Sequence, residues 1–249
     1  MEVKSEDPKK ALREHIWEVM EREHLVPYPL PLTGRIPNFY NSKSAAYKLC
    51  STREFRSATT IKIHPSLNAE SLRHLALKFG KKVLTPPLPG NNFLYYLLDP
   101  ACIEPAFHKF AASKKGFNKL GIRCKLSEIP PVDLVVVASV ACTLQGARVG
   151  KGKGYGEVEY GILREVGVVD ENVTIATVVH DAQVVESSCL PLESLSCHDV
   201  PVDIICTPTK VIRTLTRVPK PRGIFWELIS EVMMDDIGAL KELKSLKQI

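Results

Sequence analysis

The feature that most constrains this chain is a run of four glycines at every second position: Gly150, Gly152, Gly154 and Gly156. Lys151, Lys153 and Tyr155 occupy the positions between them. Because glycine has no Cβ and adopts positive φ easily, the backbone N–H groups of such a segment can converge on an anion. Arg148 and the two lysines add positive charge at the same place. The segment therefore favours an anion-binding loop over a solvated glycine-rich turn, the alternative that composition leaves open.

The segments on either side support this interpretation. A β-branched run at 132–139 predicts a strand that leads into the loop, and residues 157–166 predict a helix that leaves it and ends at Gly167. A glycine-rich loop before a helix N-terminus favours bound phosphate through free amides and the helix dipole. The loop is neither a Walker A sequence nor the G-x-G-x-x-G pattern of dinucleotide-binding proteins.

Helix and strand patterns alternate along the chain. Further strands are predicted at 59–64, 82–85, 173–179 and 202–207. Further helices are predicted at 8–22 with Asp7 as N-cap, at 42–50, at 69–79 with Asn68 as N-cap, and at 104–114. This alternation predicts an α/β fold in three layers, with a mostly parallel sheet covered by helices on both faces. Ligands of such sheets bind at the carboxyl ends of the strands, where the glycine loop would lie.

Composition sets wider limits on function. The 249 residues carry a formal net charge of +5, an excess that suits phosphate-bearing ligands or RNA but identifies neither. Seven cysteines, an odd number without a C-x-x-C pair, favour neither a zinc site nor a disulfide framework. The sequence shows no signal peptide and no apolar run of membrane-spanning length, so we expect a cytoplasmic protein without membrane contact.

The residues from Arg148 to Tyr155 resemble the nucleotide loop of 5-formyltetrahydrofolate cyclo-ligases, also called methenyltetrahydrofolate synthetases, whose pattern is Arg-Leu-Gly-x-Gly-x-Gly-Tyr-Tyr-Asp. Three other segments agree in order and spacing: Lys9-x-x-x-Arg13, Arg35-Ile-Pro-Asn-Phe39, and His198-Asp199 leading to Thr207. The resemblance spans roughly residues 9–210. One branch of the family is closer still, since it shares Gly150 to Tyr160 and the Val-His-Asp-x-Gln-Val-Val pattern at 179–185.

This resemblance implies a fold like that of sugar-phosphate isomerases and coenzyme A transferases, and a site for ATP and Mg²⁺. It implies catalytic roles for Lys9, Arg148 and Tyr155. The nucleotide-binding residues that it implies are Lys9, Arg13, Arg148, Gly150, Lys151, Gly152, Lys153, Gly154 and Tyr155. Glu157 and Asp199 match the carboxylates that hold magnesium in the family. The implied division of the chain is a cyclo-ligase-like domain at 1–217, followed by a basic linker and a C-terminal helix at 218–249 packed on or near it.

The chain also departs from the family pattern. Gly156 replaces the second tyrosine of the loop, and Ala138 to Thr143 replace a turn that forms part of the substrate wall. The phosphate side is therefore better preserved than the folate side. Fuller members of the closer branch carry an RNA-recognition motif, but no such sequence occurs here.

Three functions follow from these observations. The first is an ATP-dependent cyclo-ligase that converts 5-formyltetrahydrofolate to 5,10-methenyltetrahydrofolate. The second is a weak or inactive nucleotide-binding domain, associated with RNA metabolism through a partner or a longer form. The third is a generic phosphosugar-isomerase-like or acyl-transfer enzyme, for which Cys142 and His180 are the available candidates for nucleophile and base. The sequence leaves open the alternative that Cys142 is a buried small hydrophobe and His180 a hydrogen-bonded core residue. The ligands expected from the resemblance are a nucleotide and a reduced folate, RNA is an expected partner only in the second case, and a monomer is expected.

Overall fold

The structure is a computed structural model that describes residues 7–87, 89–91, 93–215 and 218–247. The helices are α1 (Pro8–Arg22), α2 (Ser42–Cys50), α3 (Arg53–Ser57), α4 (Glu70–Lys78), α5 (His108–Ala111), α6 (Lys114–Leu120), α7 (Tyr155–Glu165), α8 (Glu231–Asp236) and α9 (Ala239–Lys247). The strands are β1 (Thr60–Ile63), β2 (Lys82–Thr85), β3 (Tyr95–Leu98), β4 (Ile122–Cys124), β5 (Leu134–Val137), β6 (Ala141–Thr143), β7 (Arg148–Val149), β8 (Thr174–Val178), β9 (Val184–Val185), β10 (Ile204–Cys206) and β11 (Val211–Arg213).

The main sheet has the strand order β11-β10-β8-β5-β1-β2-β3-β4. The five strands from β10 to β2 pair in parallel, and the pairs β10–β11, β2–β3 and β3–β4 are antiparallel. Apolar clusters cover both faces: one contains side chains of α1, α2 and α4, and the other contains side chains of α7 and α9. The predicted α/β class, with a mostly parallel sheet between helices, is confirmed.

A second, small sheet corrects the prediction about the entrance to the glycine loop. It has the order β7-β6-β9, and β7 rather than β5 leads directly into the loop. Between β5 and the loop the chain forms the antiparallel pair of β6 and β7. Strands of two or three residues give no periodic signal, so the sequence pattern indicated only the long buried strand.

Two further expectations about helices were wrong. Asn68 does not cap α4: it is buried in a 3₁₀ turn, and its amide donates to the carbonyl oxygen of Val178 at 3.2 Å. The C-terminal helix predicted within 218–249 is not one helix, because the segment folds as a 3₁₀ turn at Trp226–Leu228, α8 and α9. The predicted start of α1 is confirmed, since the side chain of Asp7 accepts the Lys9 N–H at 3.0 Å.

The C-terminal segment packs on the rest of the protein. Ile237, Ala239, Leu240 and Leu243 are buried in the cluster on the α7 face of the sheet. The backbone N–H of Gly238 donates to the carbonyl oxygen of Asn91 at 3.1 Å, which ties the segment to the connection after β2. The predicted domain boundary between residues 217 and 218 stays a prediction, because residue 217 lies outside the described ranges. None of the helices in the described parts of the chain combines the length and the apolar composition of a membrane span.

Candidate functional site

A cavity of about 390 Å³ lies at the carboxyl ends of β1 and β5, beneath the glycine loop. It is lined by every residue that the sequence singled out for the site: Lys9, Arg13, Arg148, Gly150, Lys151, Gly152, Lys153, Gly154, Tyr155, Glu157 and Asp199. These residues come from α1, β7, the glycine loop, α7 and the 196–199 turn. The parallel sheet explains the convergence, since connections that follow parallel strands meet at one edge.

The backbone of the glycine loop requires glycine at two positions. Gly152 has φ +88° and Gly154 has φ +69°, a left-handed conformation that other residues adopt at a cost. Space is also limited, because a Cβ at Gly152 would lie 3.3 Å from Cζ of Arg13. Arg13 itself fixes the loop by donating from Nε to the carbonyl oxygen of Gly150 at 2.8 Å. Gly154 then serves as the N-cap of α7, so the loop delivers the helix N-terminus to the cavity.

Three cations at the loop have no carboxylate within the 4.0 Å ion-pair distance among the described residues: Arg13, Lys151 and Lys153. Burial lowers the pKa of Lys151, and the neighbouring charge of Lys153 lowers it further. The Lys151 ammonium also lies 5.8 Å from the centroid of the Tyr155 ring. Uncompensated cations beside a helix N-terminus attract an anionic group.

Arg148 is held differently from these cations. Its side chain is 2% exposed, and Nε donates to the carbonyl oxygen of Val200 at 2.9 Å. Its two terminal nitrogens donate to the carbonyl oxygen of Ala138 and to the carboxylate of Glu157. Arg148 thus joins β7, the end of β5, the 196–200 turn and the first turn of α7. A direct contact of Arg148 with phosphate stays a prediction.

The two predicted metal ligands both line the cavity, and each is ion-paired. Glu157 pairs with Arg148, and Asp199 pairs with Lys9, 190 residues away in sequence. Asp199 also accepts the Ser196 N–H at 2.6 Å and so stabilises its own turn. Among the described residues no group of three or more His, Cys, Asp or Glu forms a metal cage. Two carboxylates suit Mg²⁺ when phosphate oxygens of a ligand complete the set, as is usual for this metal.

Tyr155 makes a contact that the sequence did not predict. Its hydroxyl donates to the carboxylate of Asp236, at the end of α8. The pKa of Tyr155 is raised to about 12, mainly by that hydrogen bond and to a smaller extent by burial. Asp236 and Ile237 line the cavity, and a Cβ at Gly154 would lie 3.1 Å from Cε of Met233. The C-terminal segment therefore forms one wall of the site, where the sequence indicated only a packed tail.

Sequence reasoning also missed the floor of the cavity, which Lys62, His64 and Glu159 line. The Lys62 side chain is 1% exposed, and its ammonium donates to Oε2 of Glu159 at 2.6 Å. Neither ring nitrogen of His64 has a hydrogen-bond partner among the described residues. One signal was available, because lysine and histidine alternate with isoleucines in a strand that is otherwise apolar.

The candidates for an isomerase or acyl-transfer function do not line the cavity. Cys142 is fully buried in β6, and burial raises its pKa to about 12, so it is a poor nucleophile at neutral pH. His180 caps a 3₁₀ turn by accepting the Ala182 N–H at Nδ1, and its ring packs against Phe39. Because neither residue lines the cavity, the isomerase or acyl-transfer alternative loses its candidate nucleophile and base.

One departure from the family pattern lies at the cavity, and the other reaches the cavity at a single residue. Gly156 lines it, and a Cβ built on Gly156 would meet no atom within 4 Å. Of the Ala138 to Thr143 segment only Ala138 reaches the cavity, since Ala141 to Thr143 form the buried strand β6. His198, beside Asp199, also lines the cavity and packs edge-on against Phe225 at 6.1 Å between ring centroids.

Fold and site together define an α/β protein in which a glycine-rich loop and a helix N-terminus face a basic cavity at the strand ends. The sequence model of the 5-formyltetrahydrofolate cyclo-ligase family matches residues 4–208. The chain therefore belongs to that family. The match ends before the segment that supplies Asp236 and Ile237 to the cavity.

Curated relatives agree with this assignment. The chain is 37% identical over 246 residues to a methenyltetrahydrofolate synthase domain-containing protein of Mus musculus, covering 98% of this chain and 65% of the relative. It is 37% identical over 242 residues to the protein of the same name from Homo sapiens, covering 96% of this chain and 62% of the relative. The chain thus spans somewhat less than two thirds of the length of these relatives.

A solved structure shows the same fold. The NMR structure of Aquifex aeolicus 5,10-methenyltetrahydrofolate synthetase superposes with a TM-score of 0.52 at 24% sequence identity. The superposition covers 83% of this chain and 93% of the other.

Proposed function

We propose that this chain binds Mg·ATP with the phosphates at the glycine loop and acts on a reduced folate as a 5-formyltetrahydrofolate cyclo-ligase-like protein. The observation that carries the proposal is the set of three cations without carboxylate partners, Arg13, Lys151 and Lys153, beside the N-terminus of α7. The other Lys and Arg side chains that line the cavity are ion-paired: Lys9 with Asp199, Lys62 with Glu159, and Arg148 with Glu157. The excess charge is therefore concentrated where phosphates would meet the free amides of the loop.

The proposed reaction asks mainly for charge neutralisation and positioning. ATP would phosphorylate the formyl oxygen of 5-formyltetrahydrofolate, N10 would attack the activated carbon, and phosphate would leave to give the 5,10-methenyl product. Transfer of a phosphoryl group spreads negative charge over its oxygens, and fixed cations lower the barrier without reorganising. Lys151 and Lys153 provide those charges on the loop, and Arg13 provides one from α1.

Magnesium would enter with the nucleotide. Its chemistry is to bridge phosphate oxygens and neutralise their charge. Glu157 and Asp199 are the residues that would hold it, by exchanging part of their ion pairs with Arg148 and Lys9 for the metal. The remaining oxygens would come from the phosphates and water, because no group of three or more His, Cys, Asp or Glu among the described residues forms a metal cage.

Incubation of the purified 249-residue chain with 5-formyltetrahydrofolate and Mg·ATP tests the proposal directly. We expect methenyl absorbance and ADP to appear together. Formation of ADP, or binding of ATP, without methenyl product would favour the nucleotide-binding domain over the enzyme. Neither nucleotide binding nor product would contradict the proposal. An association with RNA stays a prediction from the family resemblance, and so do the cytoplasmic location and the monomeric state.

A further inference from the structure

The cavity floor has a different chemistry from the loop above it. Lys62 and His64 lie two residues apart at the carboxyl end of β1, so their side chains extend from the same face of the sheet. Ile61 and Ile63 belong to the apolar cluster on the opposite face. The floor is therefore a small polar surface in an otherwise apolar strand, and apolar contacts do not account for it.

His64 is the group that most needs a ligand. It is 3% exposed, and both ring nitrogens lack a partner among the described residues. Buried polar atoms are nearly always hydrogen-bonded, because leaving one unsatisfied costs free energy. The backbone at this point is fixed, since Arg73 donates from a terminal nitrogen to the carbonyl oxygen of His64 at 2.6 Å. The backbone that carries the ring is thus held in place, and the neutral ring has one donor and one acceptor available.

The floor is close to electrically neutral, unlike the loop. Burial lowers the pKa of His64 well below its usual value, and the charges of Arg73, Lys62 and Arg148 act in the same direction, so the ring is neutral. The charge of Lys62 is balanced by Glu159 at 2.6 Å. An ammonium has three N–H donors, and among the described residues the Lys62 ammonium donates to Glu159 alone. Further donors therefore remain available without a net charge to attract an anion.

We propose that His64, assisted by Lys62, is a specificity-determining residue that recognises an uncharged cyclic amide on the ligand. Such a group presents a carbonyl oxygen beside an N–H. The imidazole would accept from the N–H, and the lysine ammonium or the imidazole N–H would donate to the carbonyl oxygen. This inference rests on the proposed function for the direction of the ligand: phosphates lie at the loop, and the ring system with the amide lies at the floor. The 4-oxo pyrimidine ring of a folate carries this group.

The test compares two probes that differ at this amide. Folic acid carries the 4-oxo group and the adjacent N–H, whereas its 4-amino analogue, aminopterin, does not. Calorimetry of the full chain with each probe should show that the parent prefers folic acid by about tenfold or more, because a site built for a hydrogen-bonding group rejects an analogue without it. His64→Leu should abolish that preference, and His64→Gln, which keeps a donor and an acceptor, should retain part of it.

Binding of a non-hydrolysable Mg·ATP analogue is measured in parallel, so that this inference and the proposed function can fail separately. If His64→Leu keeps the parent preference, or if the parent does not discriminate between the probes or binds neither, the inference is overturned whatever the nucleotide does. If discrimination depends on His64 but the ATP analogue does not bind, the floor assignment stands and the nucleotide part of the proposed function fails. If His64→Leu does not fold, as judged by thermal unfolding, the parent and His64→Gln decide the matter by the same comparison of probes.

Discussion

The ammonium of Lys62 and the carboxylate of Glu159 form an ion pair of 2.6 Å between β1 and α7, 97 residues apart in sequence. Glu159 follows the glycine loop by one helical turn, so the pair connects the centre of the parallel sheet to the helix whose N-terminus faces the cavity. The position of that N-terminus relative to the floor is therefore coupled to a buried charge pair.

Breaking this pair on one side should be costly. Lys62→Met leaves Glu159 as an uncompensated and mostly buried carboxylate, and we expect the free energy of unfolding to fall by about 3 kcal/mol. The double variant Lys62→Met/Glu159→Gln removes both charges and should lose clearly less. Urea denaturation measures both values. Lys82→Met, on the adjacent strand β2, is the matched control, because the Lys82 side chain is 40% exposed in its pair with Asp99 and the loss of stability should be small. Equal losses in the single and double variants would contradict this account.

Nucleotide binding should depend on the charge of the loop. Lys153→Glu places a carboxylate beside the phosphates, and the resulting repulsion should weaken Mg·ATP binding by on the order of 1–4 kcal/mol. Calorimetry of parent and variant measures the difference. Lys109→Glu makes the same change of charge on an exposed residue of α5 that does not line the cavity, and it should leave the affinity unchanged. An unchanged affinity in Lys153→Glu would remove the loop from the phosphate site.

The contact between the C-terminal segment and the loop can be followed through the ionisation of Tyr155. Asp236→Ala removes the acceptor and the negative charge that raise the Tyr155 pKa to about 12, so this pKa should fall toward 10, the usual value for tyrosine. The difference between the ultraviolet titrations of the parent and Tyr155→Phe assigns the step. Asp235→Ala is the control, because that carboxylate is exposed and pairs with Lys241. A Tyr155 step that does not move in Asp236→Ala would show that α8 does not hold the tyrosine in solution.

The central sheet and the loop were accessible from sequence because each has a local signal. The β-branched runs of β1, β5 and β8 are buried on both faces, and the alternating glycines have few structural uses other than close backbone approach. Helix ends were predictable where one residue decides them, as at Asp7 and at Gly167, which has φ +74°.

What escaped prediction depends on tertiary contacts. The strands β6, β7 and β9 have two or three residues each and exist because they pair with one another. Asn68 fits a helix cap locally, but a buried hydrogen bond to β8 determines its position. Within the candidate site, the roles of Lys62, His64 and Asp236 follow from neighbours at least 81 residues away or from the absence of a partner among the residues described, and no window of sequence contains that information.

The buried neutral state of His64 should be visible in the dependence of stability on pH. The folded-state pKa lies well below the usual value of 6.5, which approximates the unfolded chain. Above pH 6.5 the imidazole is neutral in both states, so its contribution to stability is complete. As pH falls below 6.5, the unfolded chain binds a proton that the folded chain does not, and stability is lost at up to about 1.4 kcal/mol per pH unit until the folded pKa is reached. In His64→Gln the free energy of unfolding should therefore fall less steeply with decreasing pH, by the equivalent of up to one proton taken up on unfolding. Urea titrations at about pH 5 to 7, a range that brackets the unperturbed pKa, measure the difference. Parallel profiles would show that folding does not lower the His64 pKa.

The folate side of the cavity should respond to restoring the aromatic residue that the family pattern has at position 156. Gly156 lines the cavity, no atom lies within 4 Å of a Cβ built there, and its φ is not in the left-handed region, so a side chain fits without strain. We expect Gly156→Tyr to tighten the binding of 5-formyltetrahydrofolate several-fold, since an aromatic contact contributes roughly 1 kcal/mol. Any cyclo-ligase activity of the parent should be weak, and the variant should raise it while Mg·ATP affinity stays constant. Gly156→Ala, which adds a methyl group without a ring, separates the aromatic contact from the loss of glycine flexibility. A parent that already turns over 5-formyltetrahydrofolate at about 10 s⁻¹, a typical rate for metabolic enzymes, would refute the prediction, because its pocket would then recognise the pterin without this residue.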